Sequence, residues 1–150
     1  SMHESVKEYC PAQEAKQDIW QALGLPSRGP RLHQLIHEGL PYDFFDRLSE
    51  MLSLDKRSLA KHAQIAPATL SRRAKSGSFT ADESDRLFAF AEVLNAAQGL
   101  FEGDLEAARK WIVKPVLGLS GKSPVSMLST RVETNAVIAL IGQLEHGVLP

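Results

Sequence analysis

The stretch DKRSLAKHAQIAPATLSRRAKS, residues 55–76, has the pattern of two short helices joined by a tight turn. Asp55 can cap the first helix through its carboxylate, and Pro67 can open the second because its φ is already near the helical value. Five apolar positions have the spacing of one small core shared by two helices that cross at a steep angle. These inward positions are Leu59, Ala63, Ile65, Leu70 and Ala74. The pattern predicts a helix-turn-helix.

Positive charge is concentrated in this stretch. Six Lys or Arg against one Asp give residues 55–76 a net charge of plus five, whereas the whole chain has a net charge of minus one. Because DNA is recognised by clustered cations, the stretch is a predicted DNA-binding surface. Helical geometry favours Arg72 for a guanine edge, and Thr69, Arg73 and Lys75 for phosphate oxygens. The predicted DNA-binding residues are Lys56, Arg57, Ala68, Thr69, Ser71, Arg72, Arg73 and Lys75.

A solvated basic face on an ordinary surface helix would show the same cluster of charge, and for a cluster alone that interpretation is the commoner one. The inward apolar spacing of the same residues favours the helix-turn-helix instead.

Composition places the chain among soluble globular proteins. With 150 residues and 43% hydrophobic content, it can bury a core as one domain or as two small ones. No apolar run approaches the roughly 20 residues that span a bilayer, and the N-terminus lacks the order of a secretory signal. We therefore expect a cytoplasmic protein without membrane contact. Cys10 is the single cysteine, which excludes an internal disulfide and a CxxC metal pair.

The chain is predicted to be all-α, because apolar residues recur at helical spacing and no alternating strand pattern is present. Thr80 and Glu83 form a predicted capping box for a long helix, and Asp104 is a predicted cap for the next one. The apolar stripe from Leu87 to Leu94 is a candidate dimer contact. We divide the chain into an N-terminal helical segment (1–38), a helix-turn-helix domain (39–98) and a C-terminal domain (99–150).

Motifs that would support catalysis or metal binding are weak. GLSGKS resembles a phosphate loop, but Val116 stands where a Walker A motif requires glycine. His33 and His37 lie four residues apart but lack a third ligand, so surface histidines are the favoured interpretation. No spacing specifies a nucleophile beside a base. We expect no catalytic residues, no metal and no cofactor, and therefore no enzyme.

Further motifs extend from Gly39 to Pro150, and together they resemble the Xre/ParS/MbcA-type antitoxins. They include GLP at 39–41, ATLSRR at 68–73 and ESDRL at 83–87. A C-terminal pattern follows, at Ala108, Trp111, Pro115, Leu119, Gly121, Pro124, Leu128, Thr130, Val137, Leu140 and Gly147. The chain departs from many relatives at Gln64, where they have glycine in the turn, and at Ala66, where they have Ser or Thr.

The resemblance implies an Xre-like helix-turn-helix that represses its own operon, followed by a small helical domain that binds and silences a cognate toxin. The toxin of this branch is typically a RES-domain protein that consumes NAD or transfers ADP-ribose from it. A homodimer is expected, because helix-turn-helix units usually read paired half-sites. The alternative is a stand-alone transcriptional repressor without a toxin partner.

The residues expected to contact the toxin lie in three places, which are Trp111, the Gly-rich loop with Pro124 after it, and the C-terminal tail. A tryptophan at helical spacing, such as Trp111, more often packs in the core than binds a partner. A chain end such as HGVLP is more often frayed than bound. Because relatives use this end against the toxin, we expect the apolar tail to enter a pocket. The predicted toxin-binding residues are Trp111, Leu119, Ser120, Gly121, Lys122, Pro124, Leu149 and Pro150.

Overall fold

The computed structural model describes residues 18–147, which confirm the all-α prediction. These residues form no strand, and their only β-type pairing is an isolated antiparallel bridge between Pro41 and Ser78. Two short 3-10 turns, Leu117–Leu119 and Pro124–Ser126, lie between the last two helices. The helices are α1 (Ile19–Leu23), α2 (Pro30–Glu38), α3 (Tyr42–Leu52), α4 (Lys56–His62), α5 (Pro67–Ser76), α6 (Ala81–Leu100), α7 (Leu105–Ile112) and α8 (Arg131–Glu145).

The predicted helix starts are confirmed, because each depends on atoms close in the chain. The Asp55 carboxylate accepts a hydrogen bond of 2.7 Å from the Ser58 N–H at the start of α4. At the start of α6, the Thr80 hydroxyl accepts from the Glu83 N–H and the Glu83 carboxylate accepts from the Thr80 N–H. Asp104 caps α7 in the same way, through the Ala107 N–H.

The helix-turn-helix is formed by α4 and α5, but the side chains of α5 are less buried than the sequence predicts. Leu59, Ala63 and Ile65 are buried as expected. Leu70 is only half-buried and Ala74 is exposed, so the prediction that Ala74 faces inward is wrong. None of the side chains of α5 is fully buried. Helix α5 therefore packs through three half-buried side chains, Thr69, Leu70 and Arg73, and its other side chains face solvent.

The long helix α6 is the centre of the fold. It packs against α2 and α3 on the helix-turn-helix side and against α7 and α8 on the C-terminal side. The Arg109 Nε of α7 also donates a hydrogen bond to the Met51 carbonyl of α3. One continuous hydrophobic core therefore runs through the described residues, and the division at residues 98 and 99 falls inside α6.

The apolar stripe of α6 is not available for dimer contact. Leu87, Ala91 and Leu94 have no exposed surface, because neighbouring helices of the same chain cover them. The expectation that this stripe pairs two copies is therefore wrong. Periodicity in a single sequence reports that a stripe is buried, and it does not report which partner buries it.

The GLP segment joins the start of α3 to the loop between α5 and α6. The Phe79 N–H donates to the Leu40 carbonyl (2.9 Å), and the Tyr42 N–H donates to the Gly77 carbonyl (2.8 Å). The buried Leu40 N–H donates to the Ser84 hydroxyl of α6 at 2.8 Å. The junction therefore fixes the C-terminal end of α5 relative to α3 and α6.

The start of α5 offers a test of stability. Ala66 is the residue before the helix and supplies no side-chain cap, although Pro67 at the first position fits. We expect Ala66→Ser to raise the free energy of unfolding by about 1 kcal/mol, because its hydroxyl can accept from a free N–H of the first turn. Urea denaturation measures the change. Ala68→Ser, on an exposed helical position, is the control and should be neutral or slightly destabilising; equal stabilisation by both would contradict the capping argument.

Candidate nucleic-acid and protein interfaces

Helix α5 presents most of the predicted DNA-binding residues to solvent. Ala68, Ser71, Arg72 and Lys75 are exposed, and Thr69 is half-buried. The Arg72 Nη2 donates to the Thr69 Oγ1 at 3.2 Å, one turn earlier. The long Arg72 side chain is thus directed along the helix toward its N-terminus, where the helix dipole also favours anions. A cationic, accessible face of this kind can engage phosphates and base edges.

Arg73 was predicted to contact a DNA phosphate, but its side chain is paired within the protein. Its guanidinium makes two hydrogen bonds to the Glu83 carboxylate, at 2.7 and 3.0 Å. This bidentate bond raises the pKa of Arg73 and lowers the pKa of Glu83. Only 7% of Glu83 is exposed, so the pair lies in the groove between α5 and the start of α6. Arg73 therefore ties α5 to α6.

The two predicted residues on α4 differ in their surroundings. The Lys56 Nζ lies 2.8 Å from the Asp46 carboxylate of α3, and this hydrogen bond raises the pKa of Lys56. The Arg57 side chain is exposed and has no hydrogen bond or salt bridge within residues 18–147. Arg57, like Lys61 one turn later, is thus a cation on α4 that needs no exchange of partners to meet a phosphate.

A cleft of about 730 Å³ opens between α3, α4 and the first half of α5. Its floor contains the apolar residues Ala60, Ile65 and Leu70, and cations stand on its rim. The lining residues are Tyr42, Lys56, Arg57, Ala60, Lys61, Gln64, Ile65, Ala66, Pro67, Leu70 and Ser71. Because three of the predicted DNA-binding residues line it, the cleft adjoins the cationic face.

The C-terminal part forms a closed turn at residues 116–122, where a group of the toxin-binding residues was predicted. The Val116 N–H donates to the Lys122 carbonyl and the Gly121 N–H donates to the Val116 carbonyl, each at 3.0 Å. Ser120 and Gly121 both adopt positive φ, at 58° and 80°. The structure brings Ser120, Gly121 and Lys122 together on the surface.

Other predicted toxin contacts are not accessible. Leu119 is 7% exposed because it packs into the core beneath the turn, and Pro124 is buried as well. In this conformation these two side chains offer little surface for direct contact. Trp111 is half-buried and meets Phe101 edge to face, with ring centroids 6.4 Å apart. Leu149 and Pro150 lie outside the described residues.

A residue absent from the predictions is the most exposed large apolar side chain among residues 18–147. Leu117 is 93% exposed, followed by Val132 at 79% and Val113 at 43%. All three lie in the C-terminal part. Leucines recur every few residues in this region, so sequence spacing does not show which of them is exposed. Only the folded turn shows that Leu119 is buried and Leu117 is exposed.

The histidine prediction is confirmed, since His33 and His37 are both exposed. Within the part of the chain that the structure describes, no group of three or more His, Cys, Asp or Glu is arranged to hold a metal ion. None of the helices described is long and apolar enough to cross a bilayer.

This architecture is that of a helix-turn-helix protein extended by a second helical domain, and family comparison is consistent with both parts. Residues 31–92 match the antitoxin Xre-like helix-turn-helix domain, and residues 96–147 match the antitoxin Xre/MbcA/ParS C-terminal toxin-binding domain. Neither is a family of enzymes.

Full-length relatives agree with the domain matches. The chain is 38% identical to Antitoxin Xre of Photorhabdus laumondii over 133 residues, covering 87% of this chain and 90% of the relative. It is 37% identical to Antitoxin Xre of Yersinia enterocolitica over 146 residues, covering 95% and 99%. A protein of the same name from Pseudomonas putida is 33% identical over 118 residues, covering 77% and 72%. The chain therefore belongs to the Antitoxin Xre family.

Proposed function

We propose that this chain is the antitoxin of a type II toxin–antitoxin pair. Its C-terminal domain, residues 99–150, binds and inhibits a RES-domain toxin that consumes NAD or transfers ADP-ribose from it. Its helix-turn-helix, residues 39–98, binds operator DNA as a homodimer and represses its own operon. The protein acts in the cytoplasm and has no catalytic step of its own.

The observation that carries this proposal is the match of residues 96–147 to a toxin-binding domain, within relatives that share nearly the full length. The structure is compatible with two binding roles, because the cationic face of α5 and the turn at 116–122 are separate surfaces. Helix α6 packs against both parts, so the two surfaces are held on one framework.

Co-expression with the product of the adjacent reading frame tests the proposal. We expect the chain to restore growth of cells that express the RES-domain protein, and to co-purify with it. If the chain neither rescues growth nor co-purifies but still protects its own promoter in a footprint, the stand-alone repressor is the correct function.

DNA binding can be tested at two positions of α5. We expect Arg72→Ala to cost about 1–3 kcal/mol at one base position and to relax the sequence preference there. Lys75→Ala should weaken all sequences alike and reduce the salt dependence by about one phosphate contact. Titrations against operator and scrambled duplexes at several salt concentrations separate the two effects. Lys114→Ala, which removes an exposed cation beyond α7, is the control. Wild-type footprints for both Arg72→Ala and Lys75→Ala would show that this face of α5 does not bind DNA.

The C-terminal tail can be tested by removing residues 148–150, Val-Leu-Pro. We expect the truncated protein to neutralise the toxin less well, because apolar contacts from Leu149 and Pro150 are lost, and to bind operator DNA normally. Growth rescue over a range of toxin induction measures the loss. Full protection by the truncated protein would show that the tail does not enter the toxin.

A further inference from the structure

The turn at residues 116–122 exposes a leucine that the fold does not use. Removing a leucine side chain from water is worth about 1.5–3 kcal/mol, yet Leu117 remains 93% exposed. A single exposed leucine is common on protein surfaces. The inference about Leu117 therefore depends on how it is held and on what surrounds it.

The backbone beneath Leu117 is held by several hydrogen bonds. Besides the two bonds that close the turn, the Leu119 N–H donates to the Val116 carbonyl and the Ser120 N–H donates to the Leu117 carbonyl, each at 3.0 Å. Leu119, two residues further on, is buried, and the following turn contains the buried Pro124 and Val125. Leu117 is thus displayed from an ordered base. A pre-ordered contact residue loses little backbone entropy on binding, which is a property of strong interface anchors.

Charge around the turn indicates the chemistry of the partner. Lys122 closes the turn opposite Val116, and Lys114 precedes it; both are exposed and neither has an ion pair with a described residue. No acidic residue occurs between positions 107 and 132. An apolar tip flanked by unpaired cations fits an apolar pocket with an acidic rim.

We propose that Leu117 is the anchor that inserts into an apolar, acid-rimmed pocket of the toxin, with Lys114 and Lys122 contacting the rim. This inference rests on the proposed toxin binding and refines the loop assignment. Ser120 and Gly121 shape the turn, and Leu119 supports it from the core. The tip of the turn, rather than its buried leucine, makes the contact.

The test compares aspartate substitutions at two exposed apolar residues in the full-length chain, with the RES-domain protein of the adjacent reading frame as the probe. We expect Leu117→Asp to weaken binding roughly thirtyfold or more, as anchor truncation does. Val132→Asp, the matched control at 79% exposure, should change binding by less than about threefold. Leu117→Met should retain most of the affinity, and Lys122→Glu should slow association.

Additional readouts keep the interpretation clear. Thermal stability and operator binding of Leu117→Asp should equal those of the wild type, since the side chain has almost no buried surface. The anchor assignment is overturned if Leu117→Asp binds as tightly as the wild type, or if Val132→Asp loses as much. Failure of the wild-type chain itself to bind would instead refute the proposed function.

Discussion

Replacing Gly39 with alanine is expected to remove a large part of the protein's stability. Gly39 has a φ of 99°, and a Cβ at this position would lie 2.1 Å from the Phe79 carbonyl oxygen. That oxygen belongs to backbone, so relief requires the GLP segment to separate from the loop before α6. We expect a loss of roughly 3–5 kcal/mol, against a typical total stability of about 5–15 kcal/mol.

Gly29 provides the matched control for this substitution. It has nearly the same φ, 95°, but a Cβ there would meet nothing within 4 Å. Gly29→Ala should therefore cost only the strain of a positive-φ backbone conformation that L-residues rarely adopt, about 1–3 kcal/mol. Urea denaturation of both variants separates strain from steric clash. Equal losses would show that the close approach to Phe79 is relieved without cost.

The second large effect concerns the ion pair between Arg73 and Glu83. Because α5 has no fully buried side chain, this pair and the Gly77 contact supply much of what fixes its C-terminal half. We expect Glu83→Gln to retain the helix cap, since Gln also serves in a capping box, but to lose the charge-assisted bonds. The melting temperature should fall by roughly 4–8 °C.

The same variants distinguish two roles for Arg73 in DNA binding. If Arg73 positions α5, both Glu83→Gln and Arg73→Ala should weaken operator binding, because the cationic face loses its alignment. If Arg73 instead contacts phosphate, releasing it from Glu83 should tighten binding. We expect weaker binding from both variants. Tighter operator binding by Glu83→Gln would show that Arg73 contacts the DNA phosphates.

The pair also makes stability depend on pH in a defined direction. Since Arg73 lowers the pKa of Glu83 below its ordinary value of 4.5 in the folded state, the unfolded chain takes up the proton first as the pH falls. The stabilisation is complete above about pH 5 and is lost as the pH falls through the folded pKa. The melting temperatures of the wild type and Glu83→Gln should therefore converge as the pH falls through the folded pKa of Glu83, which lies below 4.5. A constant difference would exclude this linkage.

Local sequence predicted the helices well, because their signals act over three or four residues. Asp55, the Thr80 and Glu83 box, and Asp104 each cap the helix expected. The motif sequence also predicted the family, since residues such as Gly39 are recognisable without knowing what they touch. The structure adds the physical reason for Gly39, which is the Phe79 carbonyl 40 positions further along the chain.

Side-chain partners distant in sequence were beyond such reasoning. Helical periodicity could not reveal that Arg73 pairs with Glu83, nor that the stripe from Leu87 to Leu94 is covered by the same chain. It also placed Ala74 inside, although α5 turns that residue to solvent. In each case the outcome depends on where another helix lies, and no local pattern encodes that position.

The amino-acid sequence alone thus determined the helical class, the helix starts at Asp55, Pro67, Thr80 and Asp104, the cationic stretch at 55–76 and the family. Only the tertiary structure decided which of those charges are free and which leucine of the 116–122 turn faces outward. The physical reason is range. Caps and periodicity depend on neighbours within about one helical turn, whereas burial and ion pairing depend on segments that meet only when the core around α6 has formed.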